Sequence, residues 1–273
     1  MTYRVIALDL DGTLLTQKKT ILPESLMALE LAKQAGIQVL IVTGRHHSAI
    51  HPFYQALELD TPAICCNGTY LYDYQAQRAS CANPLQPRQA RQVLDMLEHF
   101  AIHGLMYADD AMMYQHTTGH ITRSLAWSQT LPEHQRPAFQ QVENLHAATH
   151  DAGNIWKFAT SHADSAALNE FAASVERELG LACEWSWIDQ IDVAQTGNSK
   201  GNLLQRWAAS QGIAMTEIVA FGDNFNDISM LSSVGLGVAM GNSADDVKAR
   251  ADLVIGHNEQ PGIADIIMSR VLN

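Results

Sequence analysis

The stretch Val5-Ile6-Ala7-Leu8-Asp9-Leu10-Asp11-Gly12-Thr13-Leu14-Leu15 constrains the fold more than any other part of the chain. It opens as a short apolar run, the mark of a strand buried on both faces of a parallel sheet. Two carboxylates follow, two residues apart, with Gly12 and Thr13 directly behind them. Charged side chains at the end of a buried strand are costly unless something pairs with them. In open α/β sheets, ligands bind beyond the carboxyl ends of the strands. One acid there would serve as a helix N-cap or a turn residue, whereas two ask for chemistry.

The same punctuation recurs. Residues 37–42 are apolar and run into Thr43-Gly44-Arg45, and residues 63–66 run into Asn67-Gly68. Residues 218–221 end in Gly222-Asp223-Asn224-Phe225-Asn226-Asp227, and short apolar runs follow at 237–240 and 253–255. Between them lie helical stretches: 23–35, with Pro23 at its first position and Gly36 as its stop, then 46–57, and 199–211 with Gly212 behind it. This alternation predicts an α/β fold, a doubly wound, mostly parallel Rossmann-like sheet with helices on both faces.

The pattern changes in the middle of the chain. From 84 to 189 the order reads helix, two strands, helix, strand, helix, two strands, with strands at 155–160, 183–188 and 190–194. Strands adjacent in sequence suggest an antiparallel sheet with helices on one side. The chain is therefore expected to be a core, 1–83 and 190–273, carrying an inserted α+β cap domain, 84–189. Its 273 residues are comfortable for two domains.

Composition removes several function classes. The net charge of −12 and pI near 5.3 argue against a nucleic-acid binder. No run of ~18 apolar residues exists, so no membrane span is expected. Cys65, Cys66, Cys81 and Cys183 form no Cys-x-x-Cys pair. They are expected to be reduced thiols of a cytoplasmic protein. No protein partner is indicated.

Asp9/Asp11, Thr43-Gly44 and Asp223/Asn226/Asp227 follow strands, and Lys200 opens a helix. In a parallel sheet the strand ends lie on one edge, so these groups can converge. Phosphoryl transfer to a carboxylate fits them. Asp9 would attack phosphorus, and Asp11 would protonate the leaving oxygen and later take a proton from water. Thr43 offers a hydroxyl, Gly44 an N–H, Lys200 a positive charge, and helix N-termini after Thr43 and Asp223 partial positive charge. Ionised Asp9, Asp223 and Asp227 beside a phosphate dianion far outweigh one lysine, so a hard divalent cation is required, Mg²⁺ being usual with phosphates.

Asp9-Leu10-Asp11-Gly12-Thr13, the strand ending in Thr43-Gly44, Lys200, and Gly222-Asp223-x-x-Asn226-Asp227 resemble, in order, the four motifs of the haloacid dehalogenase superfamily. The insertion resembles the cap of its Cof-type phosphatases. That resemblance implies Asp9 as nucleophile, Asp11 as acid/base and Lys200 as stabiliser of the phosphoryl group. It also implies Mg²⁺ held by Asp9, the Asp11 carbonyl and Asp223, with Asp227 close by. Phosphate contacts would fall on the Leu10 backbone, Thr43, Gly44 and Asn226, with Asn67-Gly68 near the site and Asn67 a candidate substrate contact. Thr43-Gly44-Arg45-His46-His47, Cys65-Cys66-Asn67-Gly68-Thr69-Tyr70 and Glu184-Trp185-Ser186-Trp187 resemble pyridoxal phosphate phosphatases of that family. Pyridoxal 5'-phosphate is thus the leading expected substrate. A planar ring calls for aromatic or polar partners in the cap, and Trp156, Lys157, Trp185, Trp187, Tyr107 and Tyr114 are the candidates, with Trp156 and Trp187 foremost. The cap is expected to close over the part of the substrate that is not phosphate, hinged near Asn83 and Asp189. A phosphomutase or phosphotransferase, a broad sugar-phosphate phosphatase, and a non-catalytic phosphometabolite-binding protein are the competing readings.

Overall fold

The computed structural model describes residues 2–187 and 189–273, which divide into two compact units. The first comprises 1–44, 53–81 and 199–273, and the second 45–52 and 82–198.

In the first unit, five short apolar runs form one sheet in which every pairing is parallel. The spatial order is Leu253–Val254, Leu236–Ala239, Ile218–Gly222, Val5–Leu8, Gln38–Ile41. The Val5–Leu8 strand lies inside, between Ile218–Gly222 and Gln38–Ile41, and is wholly buried. That is why its sequence is a continuous apolar run rather than an alternation. The Ala63–Cys65 strand joins through one parallel bridge, Val42 to Ile64, then pairs antiparallel with Tyr70–Asp73, which pairs with Arg78–Ser80.

The Lys200–Ser210 helix starts where the Ser199 side chain accepts a hydrogen bond from the Asn202 N–H. It buries Leu203, Leu204, Trp207 and Ala208 against Val5, Ala7, Leu40 and Ala220. Each such large side chain removed from water is worth about 1.5–3 kcal/mol. The helix is therefore fixed firmly, and the lysine at its first position is fixed with it.

The second unit holds a six-stranded sheet in the order Ala182–Trp187, Gln190–Ala194, Ile155–Ser161, His103–Ala108, Met112–Tyr114, Phe139–Gln141. All pairings are antiparallel except the last, which is parallel. The Pro87–His99 and Ser165–Leu179 helices supply Val93, Leu97, Phe171 and Val175 to a core completed by Phe158, Ile191 and Val193 of the sheet.

Four expectations need correction. The core does not resume at 190, because Gln190–Ala194 is an inner strand of the second unit's sheet and the first unit resumes at Ser199. Asp189 lies in the tight connection between two strands and is no linker; the strand expected at 183–188 is Ala182–Trp187, and Ile188 lies outside the described residues. Residues 46–57 are not one helix but a His47–Ala49 turn and a His51–Ala56 helix. The buried His46 explains the break. Its Nδ1 accepts from the Ser48 N–H, and its Nε2 lies 2.8 Å from the Ala108 carbonyl, to which it must donate. Burial pushes this imidazole down to about 4, so it is neutral. Finally, no helix begins directly after Thr43, so the helix N-terminus expected there is not formed.

Candidate active site

Asp9 directly follows the inner strand and donates its N–H to Phe221 O at 3.0 Å, so the sheet pairing carries one residue beyond the strand. Its Oδ1 accepts from Lys200 Nζ at 2.7 Å. The same Nζ donates to Asp227 Oδ1 at 2.7 Å, and Lys200 is 1% exposed. The other oxygen of Asp227 accepts the backbone N–H groups of Asp223 and Asn224, each at 3.0 Å. Asp227 thus ties its own loop with one oxygen and aims the lysine with the other.

Asp223 is held from two sides. Thr13 Oγ1 donates to its Oδ1 at 3.0 Å, and Asn242 Nδ2 reaches its Oδ2 at 3.4 Å while donating to Gly12 O at 2.8 Å. One oxygen from each of Asp9, Asp223 and Asp227 lies within 4.8 Å of the others. Burial, with Asp227 adding repulsion, pushes Asp9 up from 3.8 to about 7 against the pull of Lys200. Burial, then Asp9 and Asp227, pushes Asp223 up to about 8. Burial opposes the Lys200 charge, but Asp227 and Asp9 outweigh it and raise the ammonium above its ordinary range. Three acids against one buried lysine leave an excess of negative charge. The hard oxygen donors at this spacing fit a divalent cation.

The remaining expected residues fall as follows. The Leu10 side chain is buried, and its carbonyl accepts from Thr13 N and Leu15 N, closing the loop around Asp11. Asp11 forms an ion pair with Lys19, Nζ to Oδ1 at 2.6 Å. Thr43 is buried at the end of the neighbouring strand, and its carbonyl accepts from Asn67 N. Asn226 Nδ2 donates to Asn67 Oδ1 at 3.1 Å. In the second unit, Trp187 is 55% exposed, whereas Trp156 is 1% exposed. Lys157 is likewise buried, paired with Asp192 and set over the Tyr107 ring, its Nζ 4.6 Å from the centroid.

Sequence reasoning gave no role to Lys19 or Asn242. Lys19 carries no signal, since a lysine in a polar flap is usually solvated; here it sits at a left-handed φ of 58° and its Nζ reaches Asp11. Asn242 did carry one. It follows the Leu236–Ala239 strand, so the rule that strand ends carry function would have found it.

The family profile of haloacid dehalogenase-like hydrolases matches residues 6–267. Over 272 residues, covering 100% of both chains, the sequence is 59% identical to the pyridoxal phosphate phosphatase of Escherichia coli. It is 31% identical to a 5-amino-6-(5-phospho-D-ribitylamino)uracil phosphatase of Bacillus subtilis, covering 95% of this chain and 94% of that one. A haloacid dehalogenase-like hydrolase from B. subtilis superposes with a TM-score of 0.86 at 25% identity, covering 98% of this chain and 100% of that one. Profile, sequence and architecture agree along nearly the whole length: this chain belongs to the haloacid dehalogenase-like hydrolases.

Proposed function

We propose that this protein is a Mg²⁺-dependent phosphatase that hydrolyses a small phosphate ester through a phosphoryl group carried on Asp9. Pyridoxal 5'-phosphate is the leading substrate. The observation that carries the reading is the buried line of Asp9, Lys200 and Asp227 beside Asp223. A carboxylate at a strand end is thereby held in one orientation by a buried lysine that Asp227 fixes in turn. The E. coli relative named a pyridoxal phosphate phosphatase, 59% identical over its whole length, supports the substrate.

Asp9 attacks phosphorus in line and the ester oxygen leaves, while Asp11 gives that oxygen its proton. Asp11 then takes a proton from the water that attacks the phosphoryl group, releasing inorganic phosphate and restoring Asp9. The Lys200 ammonium, fixed by Asp227, offsets charge on Asp9 and on the arriving phosphate. Thr43, the Gly44 N–H, the Leu10 N–H and Asn226 bind phosphate oxygens. Lys19 holds the Asp11 carboxyl in place by donating to its Oδ1, which leaves the other oxygen to carry the proton. Asp9, Asp223, Asp227 and the Asp11 carbonyl would hold Mg²⁺, whose charge draws the phosphate toward the carboxylate. All four cysteines are free and no described helix is long and apolar enough to cross a membrane, which fits a cytoplasmic setting.

The test is phosphate release from pyridoxal 5'-phosphate and a panel of other small esters. Release is expected with Mg²⁺, none with EDTA, and recovery on adding Mg²⁺ back. Hydrolysis of other esters but not of pyridoxal 5'-phosphate would overturn the substrate. Full activity in EDTA would overturn the metal requirement. Transfer of the phosphoryl group to an added alcohol in place of phosphate release would favour a phosphotransferase.

A further inference from the structure

Behind the Thr43–Gly44 loop sits a turn with unusual backbone. Cys66, Asn67 and Gly68 are consecutive and all left-handed, with φ of 50°, 56° and 85°. Outside glycine and asparagine this conformation costs on the order of 1 kcal/mol per residue. Such strain persists only where the surroundings over-determine it, and it gathers at functional sites.

The surroundings here come from three distant parts of the chain. The Asn67 N–H donates to Thr43 O at 3.0 Å. Its Oδ1 accepts from Asn226 Nδ2 at 3.1 Å and closes on Gly44, where a Cβ would lie 2.7 Å from it. Gly68 packs on the start of the Lys200–Ser210 helix, where a Cβ would lie 2.1 Å from Ser199 O and 3.0 Å from Lys200 N. Only a glycine allows that approach. Asn67 is 5% exposed, so its side chain is held rather than solvated. Asn226 Oδ1 is buried and has no hydrogen-bond partner among the described residues. An amide in that state can turn over, exchanging acceptor for donor, unless a neighbour fixes it. Asn67 Oδ1, an acceptor, is that neighbour. It takes one of the two N–H groups of Nδ2 and so fixes the direction of the other.

We propose that Asn67 is a positioning residue for phosphate binding: its side-chain oxygen sets the orientation of the Asn226 amide, and its backbone N–H sets the Thr43–Gly44 loop, so that both present donors to one phosphate group. This rests on the phosphatase reading above. It assigns Asn67 no contact with the rest of the substrate.

The test is a double-mutant cycle read by competitive inhibition with inorganic phosphate. Asn67→Gly keeps the left-handed backbone but removes the oxygen. It is expected to raise the phosphate inhibition constant about tenfold, the upper end for one hydrogen bond. Half-saturating Mg²⁺ and the melting temperature should stay close to wild type. In an Asn226→Ala background, Asn67→Gly should change the inhibition constant less than about twofold, because the group it positions is gone. Asn67→Asp, which keeps an acceptor and tolerates the same backbone, is a second arm should the glycine variant fold poorly. Its phosphate affinity should fall further when Asn226→Ala is added. Additive effects in the glycine arm, no further loss when Asn226→Ala is added to Asn67→Asp, or a Mg²⁺ requirement that rises in step with the phosphate constant, would overturn the proposal. Additivity with wild-type phosphate release intact overturns only the role of Asn67. A wild-type protein that neither binds phosphate nor releases it from any ester overturns the phosphatase reading as well.

Discussion

Asp223→Asn should stabilise the metal-free protein while abolishing its response to Mg²⁺. The perturbation removes one charge from three carboxylates whose nearest oxygens lie within 4.8 Å of one another. Asp223 is pushed up from 3.8 to about 8, first by burial and then by Asp9 and Asp227. A carboxyl raised in this way stays protonated in the native state at pH values where the unfolded chain has released its proton. Stability therefore falls as pH rises from 3.8, and the loss is complete only above about 8. Two unit charges 4.8 Å apart at an effective dielectric of about 20 repel by about 3 kcal/mol. For a chain of this size that corresponds to roughly 6–12 °C in melting temperature. The substitution retains an oxygen for Thr13 and puts at risk only the long Asn242 contact of 3.4 Å. Melting curves in EDTA at pH 5 and pH 8 give the measurement. The asparagine variant should melt higher, with an advantage that widens toward pH 8. Saturating Mg²⁺ should raise wild type by about 3 kcal/mol at a hundredfold excess over its dissociation constant and leave the variant unmoved. An asparagine variant that melts below wild type in EDTA at pH 8, or an advantage equal at both pH values, would refute the electrostatic reasoning.

Asp9→Asn should lower turnover by several orders of magnitude, and retention of a tenth of wild-type activity in a steady-state assay would sink its assignment as nucleophile. Asp11→Asn should spare aryl phosphates, whose leaving groups need no proton, more than alkyl phosphates; equal losses on both would count against an acid role. Lys157→Met should destabilise the protein by about 3–5 kcal/mol in urea unfolding, because it strands the buried Asp192 carboxylate. Pairing it with Asp192→Leu should recover most of that loss, and no recovery would mean that the pair is not the source of the effect.

The sequence carried the core sheet and its catalytic edge well, for a physical reason. A strand buried on both faces must be apolar throughout, so Asp9, Thr43 and Asp223 stand out where each run stops. The second unit was less legible. Phe139–Gln141 is an edge strand with two glutamines, and only its pairing with Met112–Tyr114 makes it a strand. The apolar alternation of Gln190–Ala194 shows a strand without showing which sheet it joins. Lys157 and Asp192 are 35 positions apart, so nothing in their spacing shows that each is the other's counter-charge. The run at 46–57 has helical composition, yet the Ala108 carbonyl engages His46, an override that lies 62 positions away. Lys19 pairs with Asp11 eight positions before it, across a flap whose composition gives no sign of that contact.

The inner strand also dictates an order of assembly. Val5–Leu8 pairs on one side with Gln38–Ile41, made soon afterwards, and on the other with Ile218–Phe221, made more than two hundred residues later. As the chain leaves the ribosome, the nucleophile strand therefore waits half-paired while the second unit, whose six strands all lie within 82–198, is completed. Pairings so distant in sequence are slow to form, and an unpaired edge of Val, Ile, Ala and Leu is open to other chains in the meantime. Lys200, Asp223 and Asp227 all arrive with the final segment, so the acids meet their counter-charge only when that edge closes. The nascent protein cannot gather this charge until the sheet able to hold it exists.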